Sequence, residues 1–148
     1  MNTCAPHIAV NMDYIVLDTN CLIMSLSARS PYYPIWKDFR QGKYVLCITN
    51  EIIAEYEEKL REKMSEEIAV NVITAILSRS NVKHINPSFR FNLIEADPDD
   101  NKFVDCAIHS NAKYIVSNDR HFKVLKDIPF PKVEVIDIDA FLKELDRY

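Results

Sequence analysis

Two acidic residues in this chain close short apolar runs. Asp18 ends YIVLD (residues 14–18), and Asp119 ends YIVSND (residues 114–119). A third group, Asp97, Asp99 and Asp100, opens the stretch ADPDDNKFVDCAIHS. Pro98 suits the first position of a helix, which makes Asp97 its cap. The apolar stripe Phe103, Val104, Ala107 and Ile108 leads back three and four residues to Asp100. Asp100 is therefore the acid in line with the buried side, Asp99 is solvated, and Asp105 lies off the stripe. Taken singly, such acids complement a turn or a helix dipole, worth a few tenths to ~1 kcal/mol. Brought together, they cannot all ionise without compensation. A divalent cation compensates them, and oxygen donors with no cysteine and no obvious histidine partner suit Mg²⁺ or Mn²⁺. A calcium loop is excluded, because DPDDNKFVDCAI carries Lys102 where the sharp turn needs glycine and Ile108 where the bidentate glutamate belongs.

The elements that would gather these acids are legible as alternating patterns. Residues 14–17, 44–48, 114–117 and 133–136 are short, apolar and rich in β-branched residues, as buried strands are. Helical patterns fall between them: residues 33–41 stopping at Gly42, and 50–64 with Ile52, Ile53, Tyr56 and Leu60 on one stripe. Others are residues 65–78 capped by Ser65, the DPDD segment, and the closing DAFLKELDRY. Such alternation predicts a three-layer α/β/α fold around a central, mainly parallel sheet. In those sheets ligands bind beyond the carboxyl ends of the strands. Asp18, Asp119 and Thr49-Asn50-Glu51 all follow strand patterns, so parallel strands would bring them to one edge.

The bulk numbers narrow the classes. A chain of 148 residues, 48% hydrophobic and 27% charged, reads as one domain over residues 1–148, with residues 1–12 a flexible tail and Met12 an alternative start. No run approaches the ~20 apolar residues of a membrane span, and the N-terminus lacks a secretory pattern. Cys4, Cys21, Cys47 and Cys106 form no C-x-x-C pair, which argues for buried free thiols and a cytoplasmic location. With Gly42 as the one glycine, a P-loop and a dinucleotide fingerprint are excluded. A net charge of -4 argues against a broad DNA-gripping surface but not against a small basic patch.

The ordered set YIVLDTN, ITNEIIAEYEEKL and DPDDNKFVDCAIHSNAKYIVSNDRHF resembles the PIN-domain ribonucleases, most of all the toxin components of bacterial toxin–antitoxin pairs (VapC-like). The likeness runs from about Asp13 to Leu125. It implies a metal-dependent endoribonuclease, a hydrolase using one or two Mg²⁺ or Mn²⁺ ions, with its catalytic acids at Asp18, Glu55, Asp100 and Asp119. Asp18, Asp100 and Asp119 are the expected metal ligands. Glu55 follows from the resemblance, since on a helical wheel Glu51 or Glu57 serves equally well. Asp105 occupies a position where some members carry an extra acid. Ser117 stands where many have Thr, and Asn20 and Ser117 are expected to orient the acids. Arg120, His121 and Lys102 are the expected RNA-contacting residues. The resemblance also implies a homodimer silenced by an antitoxin protein. Two competing classes are a metal-dependent phosphatase and a non-catalytic PIN-like scaffold binding RNA or protein. The first typically shows Asp-x-Asp, whereas Asp18 is followed by Thr19 and Asn20. The second gives no reason to keep four mutually repelling acids.

Overall fold

Five strands, β1 (Tyr14–Leu17), β2 (Val45–Ile48), β3 (Val82–His84), β4 (Tyr114–Val116) and β5 (Val135–Ile136), form one sheet in the order β3-β2-β1-β4-β5. Every pairing is parallel, with Ile15 opposite Leu46 on one side and Tyr114 on the other. The computed structural model describes residues 12–88 and 90–147. The tail expected over residues 1–12 lies, Met12 apart, outside the described residues, as does Cys4.

The helices are α1 (Thr19–Met24), α2 (Tyr33–Arg40), α3 (Asn50–Lys63), α4 (Glu66–Ser78), α5 (Asn101–Ser110) and α6 (Ile138–Leu145). They flank the sheet in the expected α/β/α arrangement. α5 packs on β1, β2 and β4, α3 packs on α1 and α4, and α2 packs on α6. Local chemistry sets their ends. The Thr49 hydroxyl accepts the Ile52 N–H at 3.1 Å and Ser65 accepts that of Ile68 at 3.1 Å, so each cap removes an orphan donor. After α2 the chain turns through Gly42 at φ +76°, a left-handed conformation that costs glycine little.

Strand β1 lies at the middle of the sheet, with Ile15 and Val16 fully buried and Leu17 nearly so. Burying an aliphatic side chain of that size stabilises the fold by roughly 1.5–3 kcal/mol. Buried Tyr56 of α3 donates its hydroxyl to the Leu17 carbonyl at 2.6 Å, fastening the last residue of β1 one position before Asp18.

Three elements depart from expectation. The edge strand β3 has no counterpart among the strand patterns of the sequence. VKH is short and largely exposed, so it lacks the apolar run that marks a buried strand. Helix α1 and a 3-10 segment over Arg120–Asp127 also arise where no periodicity announces them. No helix among the described residues is long and apolar enough to cross a membrane.

Candidate metal centre

The chain lays down β1, β2 and β3 outward in one direction, then returns to place β4 on the other side of β1. Strand order therefore reverses between β1 and β4, and a crevice opens at their carboxyl ends. Asp18 follows β1 and Asp119 lies three residues past β4, so the two flank that crevice.

Asp18 extends the pairing, its N–H donating to the Val116 carbonyl at 3.0 Å. Although it precedes α1, its side chain does not cap that helix. Its Oδ2 instead accepts the Ser117 hydroxyl at 2.7 Å. Burial pushes its carboxyl pKa up, the bonds from Ser117 and the Thr19 N–H pull it back, and the charges of Glu55 and Asp119 push it up again. Ser117 Oγ also accepts the Asp119 N–H at 3.0 Å, so one hydroxyl ties both acids to the end of β4.

Asp119 Oδ1 accepts the His121 N–H at 2.9 Å, which caps the 3-10 segment and turns the imidazole back over the acids. Asp97 caps a 3-10 turn, Pro98–Asp100, by accepting the Asp99 N–H at 3.2 Å. Asp100 is 9% exposed and, like Asp18, makes no side-chain cap to the helix it precedes. Its pKa is pushed up to about 7, first by burial and then by the charges of Asp119, Asp97 and Asp18, with His121 pulling the other way.

Asp97, Asp100, Asp119 and His121 each offer one ligand atom, and these atoms all lie within 4.8 Å of one another. His121 Nδ1 stands 3.3 Å from Asp119 Oδ1, 3.6 Å from Asp100 Oδ2 and 3.8 Å from Asp97 Oδ2. Among the described residues, Asp100 Oδ2 and His121 Nδ1 are the buried side-chain polar atoms that no hydrogen bond reaches. Leaving such atoms unsatisfied is costly, and a cation among them would satisfy both. The donor set therefore fits a divalent ion. It differs from the set expected from sequence: Asp97 and His121 join, and Asp18 stands beside the group rather than within it. By sequence Asp97 is a helix cap and His121 part of an RNA-facing rim. His121 enters through the 3-10 turn that follows Asp119, and Asp97 enters because residues 90–97 fold back on α5. There the Asn101 amide exchanges two hydrogen bonds with Ile94, at 2.8 and 2.9 Å.

Other expected residues have different partners. Buried Asp105 accepts the Phe91 N–H at 3.1 Å and so holds that same loop instead of joining the acids. The side-chain carbonyl of exposed Asn20 accepts Lys63 Nζ at 3.2 Å. Of the three glutamates left open on α3, Glu51 pairs with Arg90 and Glu57 with Arg61. Glu55 faces inward, with Oε2 accepting the Thr19 hydroxyl and Oε1 accepting Lys102 Nζ at 2.7 Å. Lys102, expected on the RNA-facing rim, is thus committed to the interior. Arg120 remains exposed. A cavity of about 500 Å³ opens beside the acids, lined by Asp18, Asn20, Lys63, Asn118 and Asp119 among others.

An open, all-parallel α/β sheet gathers carboxylates at its switch point into a donor set that fits a divalent cation. The family model of the PIN domain matches residues 14–121, and the chain belongs to the PIN-domain family. Similar solved structures bear out the fold. VapBC2 from Rickettsia felis, bound to a DNA fragment from its promoter, gives a TM-score of 0.58 at 18% identity, covering 84% of this chain and 98% of that chain. DNA-bound VapBC from Salmonella typhimurium gives 0.58 at 15%, covering 86% and 99%. Mycobacterium tuberculosis VapC20, a sarcin-ricin loop cleaving toxin, gives 0.55 at 15%, covering 80% and 98%. No curated protein matches the chain by sequence.

Proposed function

We propose that this protein is a divalent-cation-dependent endoribonuclease, a cytoplasmic toxin held in check by an antitoxin protein and acting as a homodimer. The observation that carries the reading is the pair of buried atoms without hydrogen bonds, Asp100 Oδ2 and His121 Nδ1, set among three carboxylates. Asp97, Asp100, Asp119 and His121 hold the ion. Carboxylate donors suit Mg²⁺ or Mn²⁺, and the imidazole favours Mn²⁺ of the two. When bound, the ion polarises the phosphodiester and lowers the pKa of water at the site.

The chain's own side chains supply the rest. Ser117 fixes Asp18 Oδ2, which keeps that carboxylate at the cavity wall. There Asp18 orients the attacking water and takes up its proton as the new phosphorus–oxygen bond forms, while the bond from phosphorus to the leaving ribose oxygen breaks and that oxygen takes a proton from solvent. Lys63, lining the same cavity, and exposed Arg120 offset the backbone charge of the nucleic acid. RNA as substrate, and an antitoxin as partner, rest on family membership and on the likeness to the VapBC pairs and the ribosomal-loop-cleaving toxin.

The test is cleavage of a structured RNA panel by purified protein in Mn²⁺, in Mg²⁺ and in chelator. Cleavage is expected in Mn²⁺, lost in chelator and lost in Asp100→Asn. Cleavage that survives chelator and this substitution alike would refute the proposal.

A further inference from the structure

We propose that Lys102 stands in for a second cation at Glu55, so that the centre takes one divalent ion per chain. The inference rests on the metal-dependent reading above and settles a matter it leaves open, the number of ions. Two-ion phosphodiesterases hold their ions ~3.5–4 Å apart, and each ion needs its own share of free carboxylate oxygens. Here the oxygens divide unequally.

Asp97, Asp100, Asp119 and His121 form one compact donor group. Glu55 and Asp18 lie outside it and are already engaged. Both Glu55 oxygens accept hydrogen bonds from the chain, one from the Thr19 hydroxyl and one from Lys102 Nζ at 2.7 Å. Lys102 Nζ also donates to the Asp99 carbonyl at 2.6 Å and lies 5.6 Å from the Phe103 ring centroid. The Lys102 and Glu55 side chains are only 13% and 21% exposed, so their attraction is shielded from solvent and the ammonium is well anchored. Lys102 also lies in the first turn of the helix that Asp100 precedes, so its charge is delivered beside the principal acid.

A lysine ammonium is a compact point charge with three donors and no acceptor. It neutralises Glu55 but cannot share that carboxylate with a metal ion at the same oxygen. Lys102 is thus a positioning residue: it holds Glu55 in place and limits the count of ions, without touching the nucleic acid.

The experiment is a Mn²⁺ titration followed by the electron paramagnetic resonance signal of free Mn²⁺, which counts bound ions without any substrate. Wild type and Lys102→Arg are expected to bind one equivalent per chain. Lys102→Met, which leaves Glu55 without its ion pair, is expected to bind two, and adding Glu55→Gln is expected to return the count to one. Two equivalents in wild type would overturn the inference while leaving the metal-dependent reading intact, as would a single equivalent in folded Lys102→Met. No bound Mn²⁺ in wild type would instead sink the metal-dependent reading, and this inference with it. The wild-type count needs no variant, so a poorly folding Lys102→Met leaves the test standing.

Discussion

Replacing Asp100 by Asn should stabilise the cation-free protein at pH 8. In the folded chain Asp100 keeps its proton until about pH 7, against an ordinary carboxyl value of 3.8. Between those two values folding must take up a proton, so stability falls as pH rises. The penalty is absent below about pH 4, grows to about pH 7 and is constant above it. Each unit between the two pKa values is worth about 1.36 kcal/mol, which sets a ceiling of about 4 kcal/mol. The Asn side chain removes the charge but still buries a polar group beside His121, so roughly half is recovered, about 2 kcal/mol. For a chain of this size that corresponds to a Tm increase of about 4–8 °C. The assay is thermal unfolding of wild type and Asp100→Asn in chelator at pH 8 and pH 4.5, repeated at pH 8 with Mn²⁺ at a hundredfold over its Kd. Binding at that concentration stabilises wild type by about 2.7 kcal/mol, and the variant gains little, so the order of stability should reverse. A variant less stable than wild type in chelator at pH 8, or equally shifted at both pH values, would refute the electrostatic account.

Two further outcomes follow from the supports of the site. Ser117→Ala removes the hydroxyl that joins Asp18 to the Asp119 backbone. Loss of such an outer support typically lowers metal affinity or activity by about 10–100-fold, so Mn²⁺ affinity and cleavage should fall by that factor and Ser117→Thr should restore them. Tyr56→Phe leaves the buried Leu17 carbonyl without its 2.6 Å donor and should cost about 1–2 kcal/mol in urea unfolding. An unchanged urea midpoint would show that the Leu17 carbonyl does not depend on that bond.

The acids at strand ends were readable because parallel topology forces them to one edge. An apolar run of four residues stopping at Asp18, and another leading into Asp119, suffices to predict convergence once the strands are known to be parallel. Asp100 was also readable, from the helix stripe behind it. Asp97 and His121 were not, since each has a sufficient local job as a cap or as part of a surface turn. Only the fold-back of residues 90–97 and the 3-10 turn after Asp119 bring their side chains to the same point. Asp105 shows the reverse case. Its place in the acidic stretch suggests chemistry, yet its carboxylate holds the Phe91 backbone.

Sequence alone determined the alternation of strands and helices, the family, and the three acids Asp18, Asp100 and Asp119 at the edge of the sheet, because periodicity and chain direction are local properties. Tertiary structure decided which donors stand within reach of one ion and which are already taken by Ser117, Thr19 or Lys102. The physical reason is range. A hydrogen bond or an ion pair acts over about 3 Å between side chains that the chain separates by dozens of residues, and no periodicity encodes that distance.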